Sequence, residues 1–554
     1  MKALPAPGVL WQTLRHLRPR QILFQLLRRL FPGGFPSSPL PLRWQILPPK
    51  VHRSRNTERV FFDGCSSFNF NNEKREFSGD WNDPLARKLW LYNLHYMFWL
   101  FDLDEGREEW IRKWIWENPV DKGGNGWEPY PLSLRLFNWC KHYSLTGNEP
   151  DAEVLGSMGR QASCLLGRLE FNLDGNHLLE NLFALAFVGF FLDESDPRNA
   201  KRLGHIQSLL ESELSEQFLE DGGHFELSPM YHAILLERIL DLLNFWPGGG
   251  DVFPGLKNKL NRVAMNGLDW LDTMSVGGRF SLFNDSAYDS APDADLLLDY
   301  GSRLLGFQIR TAAPLKTLRE SGYSRAEAGE LTLIFDNGNL GPDHQMGHAQ
   351  GDMLSFCLWL GERPVIVHPG NFEYIAGKMR SYCRSTASHN TLVINGGEQA
   401  DWWASHRVGW RGRAIDGSAE INSSTGVIRV WGSHTGYSRL PGHPIHKREI
   451  EVSSSGIMIH DFLFADAPQR CRIYFHLYPD CEIESEGVAI RIRIASEVLT
   501  MKSENPMHVE DGWYCPEFGL KIRNKVICLE GEGKVFRTHL MLETGALNTS
   551  GAQV

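Results

Sequence analysis

Residues 324–335, Ser-Arg-Ala-Glu-Ala-Gly-Glu-Leu-Thr-Leu-Ile-Phe, are where the chain changes character. Upstream, between about residue 80 and residue 305, apolar residues recur in steps of three and four: Leu85, Leu89, Tyr92, Tyr96 and Trp99; Leu132, Leu136 and Trp139; Leu235, Ile239 and Leu242. That spacing is the helical period. The breaks carry turn chemistry: Lys122-Gly123-Gly124-Asn125-Gly126, Asp174-Gly175, Asp221-Gly222-Gly223 and Pro247-Gly248-Gly249-Gly250. Downstream the chain falls into short β-type runs separated by Gly, Asn, Asp and Ser, among them Leu331–Phe335, Val365–Val367, Thr391–Ile394, Gly426–Trp431, Ile457–Ile459 and Ile473–Phe475. A chain of 554 residues exceeds what one hydrophobic core holds. The expected fold class is therefore multidomain α+β. A basic N-terminal extension (1–60) precedes a helical domain (61–315), either an α/α toroid or an irregular helical array, and an all-β sandwich follows (316–554). The boundary falls near Arg310–Gly322, and the small, polar stretch Ala546–Val554 is expected to fray.

The formal charge of -10 speaks against a nucleic-acid partner, which calls for a basic face. It leaves room for an acidic ligand in a locally basic cleft. The 18 Trp and 31 Phe can stack on sugar rings or fill cores, and composition does not decide between these uses. Nine scattered Cys without a Cys-x-x-Cys pair read as reduced thiols. The N-terminus lacks the apolar run and cleavage site of a secretory leader. The longest apolar run, Asn181–Leu192, is short of the roughly 20 residues that span a bilayer. These features favour a cytoplasmic or membrane-peripheral location, with the periplasm left open. Leu10–Phe31 is basic and amphipathic. It reads either as a solvated helix packed on the first domain or as a peripheral membrane contact.

Three clusters carry candidate chemistry. Asp174-Gly-Asn176-His177-Leu-Leu-Glu180-Asn181 opens an apolar helix. Asp174 or Asn176 can cap it and Glu180 can stabilise its first turn, which leaves His177 without a structural account. Glu220-Asp-Gly-Gly-His224-Phe-Glu226-Leu-Ser228-Pro-Met-Tyr231-His232 sets ionisable groups around a tight turn before another helix. A Tyr beside a His can transfer protons, although a helix start with a core Tyr explains the same letters. Met346-Gly-His348-Ala-Gln350-Gly-Asp352, His368-Pro-Gly370, Tyr374, Arg380 and Arg384-Ser-Thr-Ala-Ser-His389-Asn390 bring several His to the β-rich half. Three of these could reach one metal once strands pair.

Taken in order, Asn176-His177-x-x-Glu180-Asn181, then Gly222-Gly-His-Phe-Glu226-x-Ser-x-x-Tyr231-His, then Gly347-His348-Ala-x-x-Asp352-x-Leu-Ser-Phe, then Arg384-Ser-Thr-Ala-x-His389-Asn-Thr resemble the heparinase II/III superfamily of polysaccharide lyases. The resemblance runs from about residue 80 to the C-terminus. It implies an incomplete α/α toroid followed by an antiparallel β-sandwich. It also implies β-elimination on a uronate-containing acidic polysaccharide. On that reading Tyr231 and His348 move protons at the scissile linkage, and Asn176 and His177 engage the uronate carboxylate. Glu180, Tyr374 and Arg135 face substrate, although Arg135 is also readable as a surface arginine. Metal-bearing relatives show His-x-His, then an Asp before a Gly turn, then the His of His-Asn-Thr. Here Gln350 and His368 stand at two of those positions, so Gln350, His368 and His389 are the expected ligands of a structural zinc or calcium, with no cofactor needed for the chemistry. Two other readings stay open. One is a glycoside hydrolase, which needs two carboxyl groups flanking the bond and has Glu180, Glu226 and Asp285 to draw on. The other is a weakly catalytic or non-catalytic binding protein of exopolysaccharide production. The sequence carries no signal for oligomeric state.

Overall fold

The computed structural model describes residues 5–30, 38–52, 59–193, 195–248, 252–309 and 313–543. Arg310, the Gly249–Gly250 turn and the stretch Ala546–Val554 lie outside the described residues. The helical half runs from Lys88–Tyr96 to Ala294–Leu305. Its ends follow the sequence closely. Pro129–Thr146 starts on proline and stops at Gly147, which takes the left-handed conformation that only glycine adopts freely (φ 69°). Asp151 caps Ala152–Leu166 through the Val154 amide, and Ser228 caps Pro229–Asn244 through the Tyr231 amide.

The helix Gly175–Gly189 sits in the middle of this half, against Pro129–Thr146, Pro197–Gln217 and Pro229–Asn244. Every residue from Leu178 to Gly189 is buried, which is why this stretch is apolar all round instead of along one stripe. It accounts for most of the longest apolar run in the sequence. Trp99, Trp114, Trp139 and Trp270 are fully enclosed, so these tryptophans fill the core instead of facing a ligand.

From Leu315 onward the chain builds a five-stranded, an eight-stranded and a four-stranded sheet. Among the described residues all paired strands are antiparallel, and the Gly370–Cys515 bridge is an isolated parallel contact. Inward residues alternate along strands such as Ile445–Ser453 and close a second aliphatic core. The molecule is thus an incomplete helical toroid followed by an antiparallel β-sandwich.

Three local features depart from the sequence reading. A hairpin, Ser67–Phe70 with Glu73–Glu76, precedes the toroid, and a short helix, Lys378–Arg384, interrupts the sandwich. Leu85 is 83% exposed and precedes the first toroid helix, because the Asp83 carboxylate accepts its backbone N–H and holds a turn there. The N-terminal extension, expected on the first domain alone, spans both. Pro7–Leu14 lies on the sandwich strand Arg407–Arg411, where Thr13 donates to the Val408 carbonyl (2.9 Å). In Pro19–Leu30, Arg20 pairs with Asp174 (2.7 Å) and Glu213 (3.0 Å) of the toroid.

Inside the sandwich, Arg448 and Asp461 face each other across neighbouring strands at 2.7 and 3.0 Å. His446 adds a third bond to the same carboxylate (2.7 Å), and Arg448 also donates to the Leu354 and Asn390 carbonyls. Burial alone would raise the Asp461 carboxyl, but Arg448 and His446 outweigh it and hold the group at about 2. A carboxylate depressed on folding contributes stability above its unfolded value, and that stability is lost as the pH falls toward the folded value. Asp461→Asn should therefore cost about 3–5 kcal/mol at neutral pH by leaving Arg448 without its counter-charge. It should also flatten the loss of stability that the parent protein shows between about pH 4 and pH 2. Urea midpoints across that range check both expectations, and equal midpoints for the two proteins at neutral pH would overturn them.

Candidate active site

A cleft of ≈ 1450 Å³ opens where the toroid meets the sandwich. Asn176, His177 and Tyr231 line it from the helical half, and His348, Tyr374 and His406 line it from the β half. Residues far apart in the chain thus share one space.

Asn176 and His177 sit at the start of the central helix. Asp174, at φ 66°, accepts from the Gly175 amide and serves as the cap, so Asn176 is free of that duty. Its backbone N–H donates to Glu226 Oε1 (2.8 Å), and its side-chain amide donates to both Glu226 oxygens (3.0 and 3.2 Å). His177 packs on the Tyr130 ring at 4.4 Å and turns Nδ1 to Glu170 (3.2 Å). Asn181 fixes Glu170 in turn, accepting its backbone N–H and donating to its carboxylate. Burial opposes a charge on His177, but Glu170, supported by Glu226 and Glu180, outweighs it, so the imidazole is held above the ordinary histidine range. Glu180 is enclosed, with one oxygen on Arg238 (3.2 Å) and the other without a partner. Burial pushes its carboxyl up against the pull of Arg238.

Tyr231 lies in the first turn of Pro229–Asn244. Leu227, just before the cap, takes φ 58°, and its carbonyl is held by Asn284 and Tyr323 (both 3.0 Å). The Tyr231 hydroxyl meets the Tyr374 hydroxyl at 2.8 Å, and its ring lies 4.1 Å from the His348 ring. Burial and the neighbouring Tyr374 raise the Tyr231 phenol well above its usual range.

His348 stands between two carboxylates, with Nδ1 3.1 Å from Asp285 Oδ2 and Nε2 3.3 Å from Glu226 Oε2. Asp285 is gripped from its other side by both Arg380 terminal nitrogens and by Gln350 (2.9 Å). Burial would raise this carboxyl, but Arg380 and His348 hold it well below the carboxylate range. Asp285 is therefore the acceptor for the Nδ1–H. The Nε2···Oε2 contact is a hydrogen bond only when a further proton lies on it.

Two expectations from the sequence need correction. Arg135 does not face substrate. It is fully buried, with its guanidinium 3.6 Å over the Trp114 ring, its Nε on Gln161 (3.0 Å) and NH1 near the His95 carbonyl (3.4 Å). Burial lowers its pKa well below the ordinary value. Leu134 and Asn138 of the same helix reach the cleft, and Arg135 lies about 100° further round the helix axis than Leu134. The second correction concerns the metal group. Asp352, absent from the expected set, joins His368 and His389 in a buried group whose ligand atoms lie within 4.8 Å of one another. Gln350 donates its amide N–H to Asp285 and turns its Oε1 to this group, 3.0 Å from His389 Nε2.

Glu226, Asp285, Arg380 and Asp352 belong to the site although their sequence context assigns them no role in it. The available signal was chemical: a histidine that works needs a partner that fixes its ring, and a carboxylate is the usual one. Gly175 exposes how tight the arrangement is. It has φ +55°, and a Cβ there would lie 2.2 Å from Glu226 Oε1. Gly175→Ala should cost about 1–2 kcal/mol from the left-handed backbone alone. It should also push Glu226 off Asn176. A lowered denaturant midpoint together with a crystal structure of the variant tests this, and an unmoved Glu226 carboxylate would refute it.

The comparisons with known proteins agree with the two-part fold. Residues 50–254 match the model described as heparinase II/III N-terminus, and residues 310–549 match the heparinase II/III-like C-terminal model. A heparin-sulfate lyase of Bacteroides stercoris is 24% identical over 342 residues, which are 52% of this chain and 50% of that one. The chain thus spans about half the length of this curated relative. The crystal structure of heparinase III superposes with a TM-score of 0.68 at 15% identity, covering 99% of this chain and 94% of the other. A chondroitin AC lyase of Streptomyces coelicolor gives 0.51 at 9%, over 83% and 74%. At such identities these two likenesses speak for the fold. With both halves matched in order by models of one family, the chain belongs to the heparinase II/III family.

Proposed function

We propose that this chain is a polysaccharide lyase that cleaves a uronate-containing acidic polysaccharide of the glycosaminoglycan type by β-elimination. The observation that carries the reading is the convergence on one cleft of two carboxylate-binding candidates, Asn176 and His177, with Tyr231 and His348. The heparin-sulfate lyase relative supports the substrate class.

In β-elimination the C5–H bond breaks, its electron pair forms the C4=C5 bond, and the C4–O4 bond breaks with its electrons on the departing oxygen. The proton lost at C5 goes to a base, and O4 takes one from an acid. The C5 proton becomes acidic enough only when the charge growing on the uronate carboxylate meets donors. His177 can supply an N–H, and Asn176 can supply its amide once the substrate carboxylate replaces Glu226 as acceptor. Tyr231 would act as base only as the phenolate: its own proton leaves to solvent through the Tyr374 hydroxyl, it then takes the C5 proton, and it delivers that proton to O4. Both ring nitrogens of His348 lie against carboxylates, those of Asp285 and Glu226. That favours one tyrosine serving as both base and acid, on one face of the sugar. A hydrolase would need two carboxyl groups available to flank the bond. Glu226 and Asp285 are instead engaged by Asn176, His348 and Arg380.

A divalent cation fits beneath the site. Asp352 Oδ1 is buried without a partner. His389 gives its Nδ1–H to the Ser385 carbonyl, so its Nε2 lone pair faces the Gln350 carbonyl oxygen, an acceptor opposite an acceptor. His368 directs Nε2 at Asp352 (3.2 Å). Two imidazoles and a carboxylate suit a borderline ion such as zinc. Held there, it would brace the loops that carry His368 and His389 and supply no step of the reaction. Purified protein should hold about one equivalent of metal, His389→Ala should lose it, and a chelator should lower the parent Tm. Unchanged metal content in His389→Ala would remove this site.

The activity test is a panel of acidic polysaccharides read by the ultraviolet absorbance of the C4=C5 product. New reducing ends without that absorbance would mean a hydrolase, and neither signal across the panel would point to a binding protein. Tyr231→Phe removes one hydroxyl and keeps the ring. It should lower kcat by about 10²–10⁴-fold with KM nearly unchanged. Equal elimination rates for variant and parent would sink the assignment.

A further inference from the structure

The helix Pro19–Leu30 is mounted inside out. Its polar side faces the protein. Gln21 is buried and donates to the His344 carbonyl, Arg20 pairs with Asp174 and Glu213, and Arg28 donates to the Arg168 carbonyl (2.8 Å). Its aliphatic side faces outward. Leu23 is 53% exposed, Leu26 51% and Leu30 69%, with Ile22 and Leu27 beside them. On the preceding helix, Pro7–Leu14, Trp11 is 64% exposed and Leu14 44%. A soluble helix buries this stripe and shows its arginines to water. Here ion pairs spend the arginines on the protein and hold the leucines outward, as a fixed apolar face larger than the scattered exposed side chains of an ordinary surface.

Charge says what covers it. Residues 1–57 contain ten Lys and Arg and not one Asp or Glu, in a chain whose formal charge is -10. Arg15 and Arg29 stand exposed beside the apolar side chains. A second copy docked by a two-fold contact would press this acid-free segment against itself. An anionic lipid surface offers acyl chains to the leucines and negative headgroups to the exposed Arg15 and Arg29. Among the described residues no helix is long and apolar enough to cross a membrane, so the helix lies on the surface. We propose that the N-terminal helices dock this protein on an anionic membrane through Trp11, Leu14, Leu23, Leu26, Leu27 and Leu30. Leu14, Ile22 and Leu26 also line the cleft, so its mouth opens beside the lipid. A polysaccharide being made or exported at that membrane would then thread past the site. This docking is independent of the lyase reading.

The test uses the full chain with sedimenting vesicles of phosphatidylcholine alone or mixed with phosphatidylglycerol. The parent protein should pellet with the anionic vesicles, less so at high salt, and stay in solution with the neutral ones. Leu23→Glu combined with Leu27→Glu touches neither the cleft nor the ion pairs. It should weaken anionic-vesicle binding by about tenfold or more. Its melting temperature and its rate on soluble polysaccharide should match the parent. Three outcomes overturn the proposal: parent protein left in the supernatant with anionic vesicles, a double variant that pellets like the parent, or a parent dimer that the double variant splits, which would make the face a contact between copies.

Discussion

The bidentate pair between Arg380 and Asp285 is the contact on which the rest of the site depends. Asp285 belongs to the end of the helical half and Arg380 to the short helix inside the sandwich, so the pair is a joint between domains. In a dry interior an ion pair repays its desolvation only with good geometry and satisfied remaining lone pairs. Both conditions are met, since His348 and Gln350 take up the rest of the Asp285 oxygens and Arg380 also donates to the Ser405 and Gly347 carbonyls. From this joint the order spreads. His348 is oriented by Asp285, Tyr231 packs on His348, and Tyr374 lies under the Arg380 guanidinium at 5.1 Å and meets the Tyr231 hydroxyl.

Glu226 plays the complementary part on the toroid side. It accepts from the backbone and side-chain N–H groups of Asn176 and lies 3.3 Å from one ring nitrogen of His348. It thereby occupies the kind of place a substrate carboxylate would take. A resting site with its donors already satisfied avoids the cost of unpaired buried polar groups. In the proposed reaction these donors exchange one carboxylate partner for another.

Much of the fold was legible because period is a local property: steps of three and four, then alternation, with glycine turns between. The hairpin at Ser67–Glu76 and the helix Lys378–Arg384 escaped because each is too short to show a period. The motifs named Asn176, His177, Tyr231 and His348, and these share the cleft. Arg135 was misread because one residue of offset on a helix separates the cleft face from the core, and nothing in Leu134-Arg135-Leu136 announces which side is which. Asp352 was not expected among the metal ligands because only the fold brings its carboxylate to His368 and His389. The N-terminal arginines read as a solvated face, whereas carboxylates of Asp174, Glu213 and Glu216 draw several of them inward.

The site's division between two halves also bears on synthesis. A ribosome delivers Asn176 and Tyr231 well before His348, Tyr374 and Arg380, and the toroid core can close on its own helices meanwhile. Until the sandwich docks, Asp285 has no cation and Glu226 has no histidine, so the nascent chain holds half of a constellation. The constellation is complete only with the sandwich, which supplies His348, Tyr374 and Arg380 to the residues of the toroid. A chain that stops short of the sandwich lacks the Arg380 partner of Asp285 and the histidine beside Glu226, so translation to the far domain is what closes the joint.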